Sequence, residues 1–200
     1  MDSTSLGWEI YFNHLKDNKI FECIRNKNVL EISTGHGKFW KLYRNYNPKS
    51  IIGLDPDNRW HLEDGVVEKD IIRKGYESYL PKLGYDVIIC FGLSYKLPSP
   101  FLLMELLARS NPEYIVYEDL ARPNIECNTT PVNRKVGTLL SEHKLNCGMV
   151  IHVTKEATIT AFGNMGYDLY ISKSLKLDDS FNGHSKQQTR QYVFKKKEAK

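Results

Sequence analysis

Ten residues, Val29-Leu30-Glu31-Ile32-Ser33-Thr34-Gly35-His36-Gly37-Lys38, constrain this chain more than any others. An apolar run that reads as a buried strand enters a turn of small residues, and a helix pattern begins just beyond it. Gly35 and Gly37 permit backbone conformations that side chains resist. A strand, a glycine turn and a helix start in that order are how open α/β sheets receive a nucleotide-like ligand. About twenty residues on, the apolar run 50–54 ends on Asp55, where a carboxylate can accept hydrogen bonds from ribose hydroxyls.

The rest of the chain alternates strand and helix patterns. Residues 6–26 carry Trp8, Phe12, Leu15, Ile20 and Ile24 at helical spacing, with Asp17-Asn18 dividing them into two short helices. Strands are predicted at 29–32, 51–54, 86–91 and 114–117, and a short one at 66–67. The 86–91 run is continuously apolar, as a central strand covered on both faces must be. Helices are predicted at 38–46, around 58–62, weakly over 72–80, and at 101–110, 133–145 and 152–165. Residues 118–132 read as irregular and 178–188 as a polar loop. The strands 167–177 and 191–196 have no helix between them, which makes them an antiparallel pair at one edge. The alternation otherwise predicts a parallel α/β sheet.

Two ligand classes are excluded at the turn. A dinucleotide fingerprint needs a third glycine where this chain has Trp40, and a phosphate-binding loop needs a hydroxyl after lysine where this chain has Phe39. The remaining pattern, Glu31-Ile32-Ser33-Thr34-Gly35-His36-Gly37, resembles the first motif of the class I S-adenosylmethionine-dependent methyltransferases. Ser33 stands where that family usually has its first glycine, and a positive φ there costs it roughly 1 kcal/mol. The resemblance continues in order over residues 27–196. Asp55 matches the acid that binds the ribose diol, Asp70-Ile71 the pair that contacts adenine, 86–91 the fourth strand, Met165-Gly166-Tyr167 the turn before the sixth strand, and 191–196 the seventh.

This resemblance implies a Rossmann-like, mostly parallel seven-stranded sheet with helices on both faces and an antiparallel edge strand. Residues 1–26 would form an N-terminal helical segment, 27–196 the cofactor-binding domain and 197–200 a basic tail. The implied cofactor is S-adenosylmethionine, held by Glu31, Ser33, Gly35, Gly37, Asp55, Asp70, Ile71 and Phe91. Glu31 would meet the ammonium group, and Phe91 or Tyr95 would give the sulfonium an aromatic wall. Trp8, Tyr11, Phe12 and His14 either cap that cofactor or pack their helix on the sheet.

The methyl acceptor is not written in the chain. The residues after the fourth strand, 92–98, hold no Asn/Asp-Pro-Pro-aromatic motif, no Pro-Cys nucleophile and no Lys-Asp-Lys-Glu set. Candidates for a catalytic role are Tyr95, Glu118 and His36, although Glu118-Asp119 read first as surface carboxylates. Cys127, His143, Cys147 and His152 match no compact zinc spacing, so no metal is expected. The absence of room for a separate target-recognition domain slightly favours a small-molecule acceptor over DNA. A non-catalytic S-adenosylmethionine-binding protein is the alternative from another class.

Charge bears on one further partner. Residues 185–200 hold six Lys or Arg against Glu198, a net +5, whereas the whole chain carries +4. A near-neutral body with a basic end suits either a solvated terminus or a tail that contacts nucleic-acid phosphate. The four cysteines form no close pair, no run is apolar enough to span a membrane, and residues 1–5 do not begin a secretory signal. The expectation is a reducing, cytoplasmic setting without membrane contact. Abundant Lys, Asn and Ile with little Ala suggests an AT-rich genome, such as that of a phage or low-GC microbe.

Overall fold

The computed structural model describes residues 3–57, 61–80, 84–94, 97, 99–121, 129–131, 149–151, 153–177 and 187–198. Helix α1 (Ser3–Asp17) is followed by a single 3-10 turn, Glu22–Ile24, so the chain does break after Asp17. Then come β1 (Asn28–Ile32), α2 (Trp40–Arg44), β2 (Ser50–Leu54), β3 (Ile71–Ile72), α3 (Tyr76–Tyr79), β4 (Val87–Cys90), α4 (Pro100–Arg109) and β5 (Tyr114–Ala121). The second half holds β6 (Thr129–Pro131), β7 (Met149–Ile151), α5 (Lys155–Asn164), β8 (Tyr167–Leu177) and β9 (Gln187–Lys196).

Seven strands form one sheet in the order β3-β2-β1-β4-β5-β9-β8. The first five are parallel, and β9 runs antiparallel between β5 and β8. The mostly parallel sheet with its antiparallel edge is therefore present as the pattern implied. Strands β6 and β7 pair separately.

Alternation along the strands sorts the core into two layers. Leu30, Ile32, Ile88, Cys90, Ile115, Tyr117, Tyr192 and Phe194 face α4 and α5. Val29, Val87, Ile89, Val116 and Val193 face α1 and α2, where Tyr11, Leu15, Phe21, Trp40 and Tyr43 cover them. Burial on both faces is why β4 is apolar at every position. Helix α4 buries Pro100, Leu103, Met104 and Leu107, the three-and-four spacing of one helical stripe. Ser99 caps it by accepting the Leu102 N–H, and Thr154 caps α5 through Ala157.

Several boundaries differ from the sequence reading. The third strand is Ile71–Ile72, not 66–67, because the 3-10 turn Glu68–Asp70 comes first and only Ile71 and Ile72 reach register with Gly53 and Leu54. The 72–80 segment forms helix only over Tyr76–Tyr79, and the helix after the glycine turn is confined to Trp40–Arg44. Residues 118–121 are not irregular: β9 pairs with β5 at every position from Tyr114 to Ala121 and carries the strand forward. Residues 129–131, also read as irregular, are a strand. The helices expected at 133–145 and at the start of 58–62 lie outside the described residues. Within those residues, no helix is long and apolar enough to cross a membrane.

Candidate functional site

The sheet changes direction of winding between β1 and β4, and the crevice beyond their carboxyl ends is where such folds place ligands. Register puts Ile32 beside Leu54 and Cys90, and Cys90 beside Tyr117. The next residues, Ser33, Asp55, Phe91 and Glu118, therefore stand together along one edge.

The turn itself is left-handed at alternate positions. Ser33 has φ +61°, Gly35 +54° and Gly37 +74°. Ser33 donates its N–H to the Leu54 carbonyl at 2.8 Å, which holds the strained residue in place. At Gly37 a Cβ would also lie 2.6 Å from the Val66 side chain, so glycine is required there by space as well as by torsion. Gly53 has a similar role on the neighbouring strand: a Cβ there would sit 2.6 Å from Thr34 Oγ1. A glycine inside an apolar strand is the sequence signal for such close approach.

Asp55 is 2% exposed and tied to this turn. Its Oδ2 accepts the Gly35 N–H at 2.7 Å and its Oδ1 the Asp57 N–H at 2.9 Å. Burial raises its pKa, opposed by those N–H groups and by Arg73. Sequence reasoning missed Arg73, which carried no motif signal. Its guanidinium grips Glu68 through two bonds of 2.7 and 2.8 Å and donates to the Asp57 carbonyl, so it anchors the loop that carries Asp55.

Glu31 is held by α2. Trp40 Nε1 donates to one oxygen at 2.8 Å and the Tyr43 hydroxyl to the other at 2.7 Å. Burial pushes this carboxyl up to about 7 despite both donors. The tryptophan that replaces a third glycine is thus the partner of the first acid in the motif, and the pair locks α2 onto β1.

Asp70 and Ile71 are placed elsewhere. Asp70 ends the 3-10 turn at the entry of β3, and Ile71 is buried in register with Gly53. Asp70 lines a shallow depression of about 340 Å³ with Trp40, Arg44, Asn47, Pro48 and Ile51. At the carboxyl end of β3 stand Arg73 and Lys74. His36 is exposed and its Nδ1 donates to the His61 carbonyl at 2.7 Å. Tyr95 and the cysteines and histidines weighed as zinc ligands, Cys127, His143, Cys147 and His152, lie outside the described residues.

Phe91, just past β4, sits in a cluster of aromatic rings. Phe91 meets Phe39 edge-on at 5.6 Å and Phe21 at 5.8 Å, and Phe39 in turn meets Tyr11 and Phe12 of α1. The carboxylates expected at the surface are buried instead, Glu118 at 5% and Asp119 at 2% exposure. Glu118 faces α1 and accepts from Tyr11 and from Gln191 Nε2. Asp119 faces the other way, pairs with Arg190 at 2.8 Å and accepts from Thr158. Burial raises the two to about 7 and about 6 respectively. The signal was weak because every partner of these acids is distant in sequence.

Residues 9–142 match the family model described as methyltransferase domain. A tRNA U34 carboxymethyltransferase of Nautilia profundicola is 32% identical over 116 residues, which cover 54% of this chain and 36% of that protein. The chain thus spans little more than a third of that relative's length. Among solved structures, an S-adenosylmethionine-dependent methyltransferase from Archaeoglobus fulgidus superimposes with a TM-score of 0.58 at 18% identity, covering 94% of both chains. Magnesium protoporphyrin IX methyltransferase from Synechocystis, solved with bound S-adenosylmethionine, gives 0.59 at 11% identity over 96% of this chain and 80% of that one. These two likenesses are of fold.

Proposed function

Because the chain belongs to the methyltransferase-domain family, we propose that it binds S-adenosylmethionine at the carboxyl edge of its sheet and transfers the methyl group to an acceptor held beside Phe91. The observation that carries this reading is the coupling of Asp55 to the glycine turn through the Gly35 N–H. Two N–H donors leave the Asp55 carboxylate with further lone pairs, which suits a ribose diol. Gly35 and Gly37 hold the left-handed turn that presents backbone to the ligand, and Phe91, the first residue past β4, would give the sulfonium an aromatic neighbour. When bound, S-adenosylmethionine supplies a methyl group already activated by that sulfonium. The protein's share is then alignment and exclusion of water, which Asp55, the turn and the ring cluster perform. Glu31, anchored by Trp40 and Tyr43 with one donor on each oxygen, would meet the cofactor's ammonium through a water or the turn's backbone.

A nucleic-acid acceptor is the second reading, favoured by the tRNA-modifying relative. Under it, the acceptor base would enter at the carboxyl edge, and the lysine-rich end would contact phosphates farther along the nucleic acid. Lys195 pairs with Tyr114 at the start of β5, about 13 Å along the strand from Glu118. Lys195 and Lys197 there face Glu198 and Asp168, and Arg190 is withdrawn into the core by Asp119.

Titration calorimetry tests the cofactor reading. Asp55→Ala is expected to weaken S-adenosylmethionine binding at least tenfold, about 1.4 kcal/mol, with an unchanged circular-dichroism spectrum. Equal affinity in the two proteins would overturn it. Label transfer from methyl-labelled S-adenosylmethionine to bulk tRNA or to a metabolite extract then distinguishes the acceptor classes.

A further inference from the structure

Glu118 collects more polar partners than a strand residue needs. It lies opposite Gln191 in the β5–β9 ladder, and Gln191 Nε2 donates to its Oε2 at 2.8 Å. Tyr11 of α1 donates to the same oxygen. The backbone N–H of Gly92, just past β4, supports the charged form as well. Gln191 is itself oriented from α1, because His14 Nε2 meets its Oε1 at 3.1 Å. Asn18 fixes that histidine in turn, donating to its Nδ1 at 3.2 Å and to its carbonyl at 2.8 Å. The tautomer that satisfies both contacts carries its proton on Nε2, so His14 donates to Gln191 and the amide must turn its N–H toward Glu118.

Four elements therefore meet at one carboxyl group: α1, the segment after β4, β5 and β9. They meet beside the aromatic cluster. Tyr11 and Phe12 reach Phe39 of the glycine-turn segment at 5.9 and 5.5 Å, and Phe39 reaches Phe91. The placing of α1 is thereby coupled through Phe39 to Phe91, the first residue past β4.

We propose that Glu118 is a positioning residue that closes α1 over the methyl-transfer site, drawing Tyr11, Gln191 and the Gly92 segment into one arrangement; this rests on the function proposed above. The closure takes up a proton. In the closed form burial holds the Glu118 carboxyl far above the ordinary carboxylate value. Lifting α1 exposes it to water and returns it toward that value, so protons bind the closed form more tightly and rising pH favours opening. The ionisable groups facing it are Tyr11 and, through Gln191, His14 from α1, Tyr43 from α2, Cys90 from β4 and Asp119 from β5. Protonation does not break the tie to α1, because a tyrosine hydroxyl both donates and accepts.

Hydrogen exchange read by mass spectrometry tests this without cofactor. Peptides from α1 are compared at pH 6 and pH 8, corrected for intrinsic exchange, with β4 peptides as the control for folding. Wild-type α1 is expected to lose at least threefold in protection at pH 8. Glu118→Gln, a neutral carboxyl mimic, keeps similar protection at both values, and Tyr11→Phe lowers it at both. In parallel, wild-type affinity for S-adenosylmethionine falls at least threefold from pH 6 to pH 8, and Glu118→Gln removes that dependence. Protection of α1 that ignores both pH and the two substitutions overturns the proposal, whether or not the cofactor binds. The expected exchange pattern in a protein that binds no S-adenosylmethionine overturns the methyltransferase reading instead, and with it the assignment of this closure to a methyl-transfer site.

Discussion

Trp40 and Glu31 illustrate what a single pair of residues settles. A carboxyl that is 2% exposed in the first strand needs donors, and Trp40 and Tyr43 supply one to each oxygen. Removing either leaves a buried acceptor unmet, which costs about 1–3 kcal/mol. Trp40→Phe and Tyr43→Phe are each expected to lose that much in urea denaturation at pH 7. The double variant should lose less than the sum, since Glu31 then takes a proton and ceases to be a buried charge. Strict additivity would show the two donors to be independent. In the sequence, Trp40 was legible only as the residue that excludes a dinucleotide turn. That reading used its size, whereas its indole N–H points at an acid nine residues earlier, a contact that requires the turn's actual torsions. Gly35 and Gly37 were legible because torsion restricts residue type strongly. Arg73 was not, because an arginine after a two-residue strand looks the same whether it is solvated or clamps a loop.

Strand β5 shows the same limit for an element. The residues Glu118-Asp119 end a recognisable apolar run at Tyr117, and acids usually mark a strand's exit to solvent. Here β9 pairs along the full eight residues and supplies partners on both faces, Gln191 toward α1 and Arg190 toward α5. The Asp119–Arg190 pair is buried on both sides, with side-chain exposures of 3% and 11%. Breaking such a pair from one side costs about 3–5 kcal/mol, because the remaining charge stays buried. Arg190→Met is therefore expected to destabilise strongly at pH 7.5. Part of the loss should return near pH 5, where Asp119, already held up at about 6, becomes neutral. Replacing both residues, Asp119→Leu with Arg190→Met, should cost less than Arg190→Met alone. A double variant no better than the single one would mean that the ion pair is not the source of the effect. The antiparallel edge itself was legible, since β8 and β9 alternate and no helix pattern intervenes. Its role in burying acids was not, since partners seventy residues apart leave no local trace.

At the scale of the molecule, the layered sheet separates two ends with different demands. The order of strand and helix patterns was enough to read the sheet, because period and connection lengths alone restrict it to a few topologies. What the pattern does not reveal is that four carboxyls raised by burial, Glu31, Asp55, Glu118 and Asp119, lie within two residues of the carboxyl ends of the parallel ladders, where the proposed site is. Burial dominates each shift, so the folded protein holds these protons more tightly than the unfolded chain. Where the folded state binds more protons, stability falls as pH rises. For the two glutamates the fall runs from the ordinary value of 4.5 to about 7, and for Asp119 from 3.8 to about 6. The thermal midpoint is therefore expected to be higher at pH 5.5 than at pH 8, by at least about 1 kcal/mol or roughly 2–4 °C for a chain of this size. Glu31→Gln and Glu118→Gln should each flatten the profile, although each also alters hydrogen bonds and so shifts its level. Melts followed by circular dichroism in buffers of constant ionic strength measure this directly. A midpoint that stays level or climbs between pH 5.5 and pH 8 would show that the donors around these acids outweigh their burial.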